Sequence, residues 1–462
     1  MENVSIQDVC SAIHGTLYPP ISSDVDVSGV SIDSRTLRPG ELFFALRGEH
    51  VDGHRFVQQA LEKGAVGAVV RADWITPSRG REAQGLLMGV EDPLAAMGTL
   101  ASWYRSRFSL PMVGITGTNG KTTTKVMAAA AVSRRLPVLS SQKSFNNAIG
   151  VPLTLFELSS RHRAGILELG MNAPGEIAHL CRIAQPTLGV ITNIGPGHLE
   201  RFGSIEGVAA AKGELLAYLG KKAVAILNAD DPLVMGVARG FSGMVVGFGI
   251  ENPCAFRAEE VRLDERGRPR FRVHGHRIQL KVMGLHNLYN ALAALAIGSV
   301  LDVSVEEAKV ALERFETVTM RGETILWKGI HIINDCYNAN PSSMRRSLDL
   351  LDNIKGGNKI AVLGDMLELG SMSGWAHREI GRYAAKRGVR YLLCVGPLSS
   401  GFCAGAVAAG LKGERAMHFE DKETLAKKLE ELLRPEDVVL VKGSRRMKME
   451  EVLDLLGIEC RA

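Results

Sequence analysis

Short apolar runs alternate with amphipathic stretches along most of the chain. In residues 1–88, four such runs predict strands and one stretch of helical period predicts a helix. A longer helix is predicted directly after this segment and ends before Pro111. The segment therefore reads as a small mixed α/β unit. Its predicted strands are 27–32, 41–46, 66–70 and 86–90, and the predicted helices are 54–63 and 93–108.

From Met112 onward, β-branched runs alternate with stretches of helical period. Strands separated by helices of ten or more residues predict a mostly parallel sheet with helices on both faces. Residues 262–281 differ, because charged residues there alternate with Phe271, Val273 and Ile278, which predicts exposed β-hairpins. A helix over 288–301 follows. The predicted strands are 112–116, 137–141, 165–169, 188–194, 223–228 and 244–248.

The same alternation returns after residue 315 and predicts a second, smaller doubly wound domain. Its predicted strands are 330–334, 360–364, 391–395, 416–419 and 438–441, with an amphipathic helix over 423–433 among those between them. The fold class is thus α/β with three domains, over 1–88, 89–314 and 315–462. The last is Rossmann-like, and a cleft between domains is where ligands usually bind.

The composition fits this organisation and excludes several other classes. The 462 residues are 46% hydrophobic and 23% charged, as in globular proteins, which excludes wholesale disorder. Aromatic residues make up only 5%, while 50 glycines suit tight turns between strands and helices. The net charge of +5, from 55 basic and 50 acidic residues, is too weak to indicate a nucleic-acid partner.

Three further features predict a cytoplasmic protein without membrane insertion. No apolar run approaches the roughly 18 residues of a membrane span. Residues 1–5 lack the basic and apolar regions of an export signal. The seven cysteines are scattered and form no CxxC pair, which predicts reduced, mostly buried thiols rather than a disulfide framework or a zinc site. They are Cys10, Cys181, Cys254, Cys336, Cys394, Cys403 and Cys460.

The strongest chemical signal lies between Gly114 and Thr122, where Gly-Ile-Thr-Gly-Thr-Asn-Gly-Lys-Thr is close to the pattern GxxxxGK[ST], with five residues instead of four between Gly114 and Gly120. Glycines let backbone N–H groups close around phosphate oxygens, and the following helix N-terminus adds positive charge. Lys121 would reach the β- and γ-phosphates, and the Thr122 hydroxyl could bind Mg²⁺. A chance match is possible in a glycine-rich chain, but the strand before and the helix after favour nucleotide binding. The candidate residues are Gly117, Thr118, Asn119, Gly120, Lys121, Thr122 and Thr123.

A phosphate-binding loop also needs an acidic partner for Mg²⁺ at a neighbouring strand end. Glu168 follows one predicted strand, and Asp230 and Asp231 follow another. Spacing alone does not choose between them, and either could simply cap a turn.

Further polar residues follow strands or open a helix, and each has a structural alternative. His198 lies past a predicted strand, where ligands gather in open α/β sheets, but a loop histidine is commonly structural. Lys212 reads as a surface helix lysine. Asn287 and Asn290 share a helix face, and an N-cap explains Asn287 as well as a ligand contact does. Asp335, like Asn338, is either a turn residue or a nucleotide contact.

Taken together and in order, these motifs resemble the Mur ligase family, cytosolic bacterial enzymes that build the peptide stem of peptidoglycan. The resemblance covers the whole chain in the same three-domain order. It departs at Met320, where many family members have glycine. The matching stretches are Gly-Thr-Asn-Gly-Lys-Thr-Thr from Gly117, Glu168-Leu-Gly, Thr192-Asn-Ile with His198, Lys212-Gly-Glu, His286-Asn-Leu-Tyr-Asn290, Arg321 and Asp335.

The resemblance implies a role for each candidate. Thr122, Glu168 and His198 would hold Mg²⁺, together with a CO₂-derived carbamate on Lys212. Lys121 and Arg321 would contact the phosphates of ATP. The remaining implied contacts are Asn287 and Asn290 for adenine, Asp335 for ribose, Ser34, Arg35 and Arg47 for a UDP-sugar in residues 1–88, and Asn146 and Asn147 for the muramoyl group.

Within the family, several stretches are similar to the members that add D-alanyl-D-alanine to UDP-N-acetylmuramoyl-tripeptide. These are Asp335-Cys-Tyr-Asn-Ala-Asn-Pro341, Leu363-Gly-Asp-Met-Leu-Glu-Leu-Gly370, Val441-Lys-Gly-Ser-Arg445 and residues 144–155. The Asp-Asn-Pro-Arg tetrapeptide typical of the preceding ligase is absent from the sequence. The expected activity is ATP-dependent amide formation through an acyl phosphate, by a monomer. No motif marks a dipeptide site; Arg445 and Arg446 could neutralise a carboxylate or simply begin a solvated helix.

Two other functions compete with this one. A folylpolyglutamate-synthetase-like ligase shares the ATP core and the lysine chemistry but lacks a UDP-docking first domain. A P-loop module that hydrolyses ATP to drive a conformational change, or that binds a partner, would not need His198 and Lys212.

Overall fold

A computed structural model describes residues 1–20, 25–48, 50–76, 85–141 and 144–459. Its sheets confirm three α/β units in the predicted order. Six cysteines are described, and all six are free thiols; Cys181, Cys336 and Cys394 are buried, and the others are partly exposed. The predicted thiol of Cys460 lies outside the described residues.

The first unit is a five-stranded mixed sheet in the order β2-β7-β6-β5-β4, with a separate β1–β3 pair. Strands β4 to β7 run parallel, and β2 pairs antiparallel to β7. Phe43 and Phe44 lie fully buried on its two faces. Its strands are β1 Val4–Ser5, β2 Thr16–Tyr18, β3 Asp26–Val27, β4 Gly29–Ser31, β5 Glu41–Phe44, β6 Gly67–Arg71 and β7 Leu87–Val90, and its helices are α1 Ile6–Ala12, α2 Val57–Glu62 and α3 Pro93–Ser106.

The central unit is a seven-stranded, fully parallel sheet in the order β14-β13-β12-β11-β8-β10-β9. Its strands β8 to β14 are Met112–Thr116, Val138–Ser140, Ala164–Glu168, Leu188–Ile191, Val224–Asn228, Met244–Gly249 and Phe256–Arg257. Its helices α4 to α11 are Lys121–Val132, Gly150–Leu155, Glu176–Ala184, Leu199–Phe202, Ile205–Tyr218, Pro232–Val237, Leu285–Val300 and Val305–Leu312. Helix α10 is apolar almost all round and packs against α4, the helix that follows the phosphate-binding pattern.

The predicted hairpins at 262–281 form, but the expectation that they are exposed is wrong for one face. Strands β15 Glu259–Leu263, β16 Pro269–Val273 and β17 His276–Gln279 make an antiparallel sheet. Phe271, Val273 and Ile278 are buried in one cluster with the apolar residues of α10. The period-two alternation is that of a sheet with one face on a core, so only the charged face meets solvent.

The third unit is a six-stranded sheet in the order β18-β19-β23-β20-β21-β22, parallel except for β18. Its strands β18 to β23 are Glu323–Trp327, Ile330–Asn334, Lys359–Gly364, Tyr391–Val395, Ala416–Phe419 and Val438–Lys442, and its helices α12 to α16 are Pro341–Asn353, Ser373–Lys386, Ser400–Ala408, Lys422–Leu432 and Glu450–Leu455. Strand β18 was not predicted. The turn before β19 holds Lys328 and Gly329 at positive φ, as two-residue hairpin loops require.

Candidate active site

The phosphate-binding pattern forms a loop between β8 and α4. Gly117 has φ +148° and Gly120, the residue before α4, has φ +83°. A Cβ at Gly117 would collide with the Thr192 hydroxyl, and one at Gly120 with the Asn290 side chain. Lys121 is partly buried and its Nζ donates to the Gly117 carbonyl at 2.8 Å. The glycines are therefore required by close approach, and the loop is shaped to receive phosphate.

The segment after β11 holds this loop in place. The backbone N–H of Thr118 donates to the Asn193 carbonyl at 2.9 Å, and that of Asn119 donates to Asn193 Oδ1 at 3.0 Å. The Thr192 hydroxyl donates to the Asn119 carbonyl at 2.6 Å. These bonds give Thr192 and Asn193 a structural task beside the loop, since they fix the loop's backbone.

The structure brings Glu168 to the loop and keeps Asp230 and Asp231 away from it. Glu168 is fully buried; its Oε2 accepts from the Thr122 hydroxyl at 2.6 Å and its Oε1 from Asn146 Nδ2 at 2.8 Å. Burial acts to raise the pKa of Glu168, but Lys121 and then Arg321 outweigh it, so this pKa lies below its ordinary value. The carboxylate is therefore ionised and placed for a cation.

The two aspartates perform structural tasks at the end of β12. Asp231 caps helix α9 and accepts from the Ile194 N–H at 2.8 Å. Asp230 accepts from three backbone N–H groups at 250–252 and from the Tyr289 hydroxyl at 2.8 Å. Both aspartates therefore cap local backbone, which is the structural alternative to a role at Mg²⁺.

Arg321 reaches the loop from the third unit. Its Nη2 donates to the Thr122 hydroxyl at 2.9 Å and lies 3.3 Å from the Ser144 hydroxyl, while its guanidinium carbon lies 3.7 Å from the Tyr337 ring centre. Its Nε is buried and has no partner among the described residues. Met320 before it has φ +60°, a conformation that glycine adopts without strain. Arg321 thus keeps a donor for an anion at the loop.

His198 and Lys212 lie near Lys121 but not in one hydrogen-bonded cluster with Glu168. Nδ1 of His198 lies 2.6 Å from Glu368 of the third unit. Burial, above all, lowers the pKa of His198 below its ordinary value, although Glu368 opposes the shift. Lys212 is buried on α8, and no described residue forms a hydrogen bond or ion pair with its amine. Burial and then Lys121 hold the pKa of Lys212 well below its ordinary range.

The donor set near the loop fits a phosphate-bound cation. Across the described residues, no three His, Cys, Asp or Glu side chains converge into a metal centre. Mg²⁺ at nucleotide sites commonly takes one or two carboxylates and fills its shell with phosphate and water oxygens. The Thr122–Glu168 contact supplies such protein oxygens. An unmodified Lys212 would not ligate a cation, but a buried neutral amine is what carbamate formation requires.

A cavity of about 520 Å³ extends from the loop between the second and third units. Asn287 and Asn290 line it and are linked by a 3.1 Å bond between Asn290 Nδ2 and Asn287 Oδ1. Asn287 is not an N-cap, since Gly284 holds that position before α10. Asp335 lies across the cavity. The residues predicted for adenine and ribose therefore face one space beside the phosphate loop.

Several residues of this cavity had no role assigned from the sequence. Lys442, at the end of β23, is buried; its Nζ donates to Asp335 Oδ2 at 2.5 Å and to the Asn338 carbonyl at 3.0 Å. Ser347 donates to the same oxygen of Asp335 at 2.6 Å. Asn340 Nδ2 donates to Asn119 Oδ1 at 2.9 Å, which joins the third unit to the loop. The sequence signals for Lys442 were its place directly after the predicted strand 438–441 and within the stretch Val441-Lys-Gly-Ser-Arg445.

The substrate residues predicted from the resemblance fall into two groups. Asn146 and Asn147 line the cavity, and Asn147 Oδ1 also accepts from the Ile149 and Gly150 N–H groups. Ser34, Arg35 and Arg47 lie in the first unit and are not among the described residues that line the cavity. Ser34 donates to Gln59, Arg35 pairs with Asp33, and Arg47 is exposed. Their UDP-sugar role stays a prediction.

Arg445 and Arg446 lie in a short 3₁₀ helix, Arg445–Met447, and both are exposed. Arg445 pairs with Glu450 at 2.7 Å. This placement favours a solvated helix start over a carboxylate site.

The fold and this site define a class of protein, and comparison with known families agrees with it. Three family models match in the order of the units: the Mur ligase family catalytic domain over 26–105, the Mur ligase middle domain over 115–298 and the Mur ligase glutamate ligase domain over 313–445. The chain belongs to the Mur ligase family.

Particular relatives are similar over nearly their whole length. The UDP-N-acetylmuramoyl-tripeptide--D-alanyl-D-alanine ligase of Bacillus subtilis is 35% identical over 97% of both chains, and that of Escherichia coli is 33% identical over 99% of both. A crystal structure of MurF from Acinetobacter baumannii superposes with a TM-score of 0.90, at 31% identity over 99% of both chains. MurF of Thermotoga maritima in complex with ADP superposes with a TM-score of 0.82, at 27% identity over 93% of this chain and 97% of that one.

Proposed function

We propose that this chain is an ATP-dependent amide ligase that adds D-alanyl-D-alanine to UDP-N-acetylmuramoyl-tripeptide and yields the pentapeptide, ADP and phosphate. The observation that carries the proposal is the phosphate loop closed by Glu168 from the second unit and Arg321 from the third. Relatives with this name match the chain from end to end. This activity belongs to peptidoglycan synthesis and so to cell-wall growth, cell shape and division.

The reaction follows from what an amide bond needs. A carboxylate is a poor electrophile, so ATP phosphorylates the terminal carboxylate of the tripeptide to an acyl phosphate. The free amine of the dipeptide then attacks this carbonyl, a tetrahedral intermediate forms, and phosphate leaves. Lys121 and Arg321 stabilise charge on the transferring phosphoryl group, where electrostatic positioning supplies most of the catalysis.

We propose that Thr122, Glu168, His198 and a carbamate on Lys212 hold Mg²⁺. When bound, Mg²⁺ offsets the charge that develops on the phosphoryl oxygens. The buried, ionised Glu168 and the Thr122 hydroxyl support the first half of this set. The buried amine of Lys212, which has no partner among the residues that the structure describes, supports the second half, because a neutral amine attacks CO₂ to form a carbamate with release of a proton.

The substrates would approach from different units. We place the UDP-sugar on Ser34, Arg35 and Arg47, the muramoyl group beside Asn146 and Asn147, and adenine against Asn287 and Asn290. Only the last two pairs line the cavity at the phosphate loop. We place the enzyme in the cytoplasm as a monomer without nucleic-acid partners. The free thiols agree with a reducing compartment. Among the described residues, no helix is long and apolar enough to cross a membrane.

The deciding experiment measures phosphate release from ATP with UDP-N-acetylmuramoyl-tripeptide, with and without D-alanyl-D-alanine, followed by mass spectrometry. We expect phosphate release that requires both the tripeptide and the dipeptide, and we expect the product to be the pentapeptide. Tripeptides ending in lysine and in diaminopimelate should be compared. Phosphate release that ignores the dipeptide would favour an ATP-driven module. Turnover with folate and glutamate instead would favour the folylpolyglutamate-synthetase-like alternative.

Turnover should rise from pH 7 to about pH 9. The attacking α-amine must be neutral, and a free α-amine has a pKa of about 8, so its reactive fraction grows as the pH rises through that value. The measurement is kcat at saturating substrates across this range. A flat profile would show that domain closure or product release limits the rate instead.

Replacing Lys442 by methionine should raise the KM for ATP about tenfold or more, with a smaller effect on kcat. Asp335 would lose its charged partner, and a hydrogen bond between charged groups contributes roughly 1.5–3 kcal/mol. The matched control is Lys355→Met, which removes an exposed pair with Glu265 and should leave KM unchanged. An unchanged KM in the Lys442 variant would contradict a role in nucleotide binding.

A further inference from the structure

A segment of the third unit that the proposed mechanism does not use lies directly against His198. It is the end of Leu363-Gly-Asp-Met-Leu-Glu-Leu-Gly370, the loop that follows β20. From it Glu368 places Oε2 2.6 Å from Nδ1 of His198. The Glu368 carbonyl also accepts from the backbone N–H of Glu200 at 3.3 Å, and Gly370 packs on the backbone of Glu200. This junction joins the second and third units.

Both partners are held in a conformation that side chains rarely adopt. His198 has φ +56° and Glu368 has φ +64°, and neither is glycine. Strained backbone of this kind persists where surrounding structure enforces it, and it concentrates at functional sites. Two such residues, from different units, face each other across one hydrogen bond. An incidental surface ion pair would not require left-handed backbone on both sides.

The loop that carries Glu368 is fixed by the third unit itself. The Met366 N–H donates to His377 Nε2 at 3.1 Å, and the Leu367 N–H donates to the Ser444 hydroxyl at 2.9 Å. His377 is fully buried, as is Asp365 at the start of the loop. The Glu368 carboxylate therefore moves with the third unit as a rigid body and meets His198 only when that unit is docked on the phosphate loop.

We infer that Glu368 is a positioning residue that couples docking of the third unit to the orientation of His198. By accepting a hydrogen bond from Nδ1–H it fixes the tautomer and the ring plane and leaves Nε2 as the ring nitrogen for a ligand; no described residue bonds Nε2. A carboxylate on the far nitrogen of a histidine is the usual way that proteins orient a metal-binding imidazole. The inference rests on the proposed role of His198 at Mg²⁺.

The test uses the full chain, Mn²⁺ as an electron-paramagnetic probe for Mg²⁺, and a non-hydrolysable ATP analogue. In Glu368→Ala we expect Mn²⁺ affinity at saturating analogue to fall at least tenfold, the lower end of what loss of such a partner costs. Glu368→Gln keeps an acceptor oxygen and should restore most of the affinity. Glu200→Gln removes a charge at the same junction, where the side chain is exposed, and should have no effect.

A second readout tests the coupling to docking. Small-angle scattering should show a smaller radius of gyration when Mn²⁺ is added to the wild type with bound analogue. Glu368→Ala should not show this compaction, because docking of the third unit and Mn²⁺ binding are linked and each favours the other. Unchanged Mn²⁺ affinity in Glu368→Ala would overturn the inference. If Glu368→Ala bound the ATP analogue more weakly by the same factor with and without Mn²⁺, the inference would be overturned too, since Glu368 would then act on the nucleotide site as a whole. Neither assay contains an acceptor substrate, so each outcome is distinct from failure of the ligase assay.

Discussion

Replacing Lys121 by alanine is expected to reduce turnover by about 10³-fold or more while the fold persists. The amine lies partly buried in the phosphate loop, and the Gly117 carbonyl is its one hydrogen-bond partner among the described residues, so it keeps donors for phosphate oxygens. Removal of one preorganised charge donor at a phosphoryl or oxyanion site commonly costs 10²–10⁵-fold, roughly. The measurement is kcat for phosphate release with both acceptors present.

The matched control is Lys125→Ala, one turn further along α4. This amine is fully buried and donates to the Ser141 carbonyl and hydroxyl, and it is not among the described residues that line the cavity. We expect the Lys125 variant to lower the melting temperature and to retain far more turnover than the Lys121 variant. Retention of turnover within tenfold in Lys121→Ala would contradict its assignment as the phosphate lysine.

Much of the fold could be predicted because most strands here are buried on both faces and end at clear turn residues. Predicted and observed bounds agree within one or two residues for strands such as Ile330–Asn334 and Tyr391–Val395. The strand expected at 188–194 ends earlier, at Ile191, because Asn193 bonds to the phosphate loop through its carbonyl and its side chain instead of continuing the ladder. The edge strand Glu323–Trp327 was not predicted, because it is short, about half polar, and alternates between more buried and exposed residues.

The choice among three carboxylates shows what spacing leaves open. Glu168, Asp230 and Asp231 all follow strands, and a one-dimensional pattern carries no strand order. In the sheet, β10 lies directly beside β8, whereas β12 is separated from β8 by β11. Adjacency to the strand that leads into the phosphate loop therefore decides which carboxylate reaches Thr122. The family resemblance supplied the same choice before the structure did.

The residues that sequence reasoning missed share one physical cause. Lys442 and Glu368 act on partners more than one hundred residues away in the chain, at Asp335 in the same unit and at His198 in the second unit. Periodicity reports which face of an element is buried, but it does not report which polar groups distant in sequence meet in the folded chain. Their motifs were visible in the sequence without any indication of a partner.

Lys212→Ala is expected to abolish turnover nearly completely, and a short added carboxylate such as formate or acetate should restore part of it. In the native chain the amine is buried and has no partner in the described part of the chain, and burial and then Lys121 hold its pKa well below the ordinary lysine value. A lowered pKa enlarges the neutral fraction at neutral pH, and only the neutral amine reacts with CO₂. The product is an anion where the sequence encodes a cation. The truncated side chain leaves space that a small carboxylate can enter.

The carbamate has a readout independent of turnover. After equilibration with ¹³C-bicarbonate, the wild type should show a carbamate carbon resonance that Lys212→Ala lacks. The matched control Lys222→Ala, at an exposed lysine beyond the same helix, should keep both the resonance and full turnover. Full activity of Lys212→Ala without any added carboxylate would end the carbamate assignment. Lys212→Ala could instead be inactive, show no rescue by an added carboxylate, and give the same carbamate resonance as the wild type. Lys212 would then be a structural lysine, since the group that the variant lost would be an amine and not an anion.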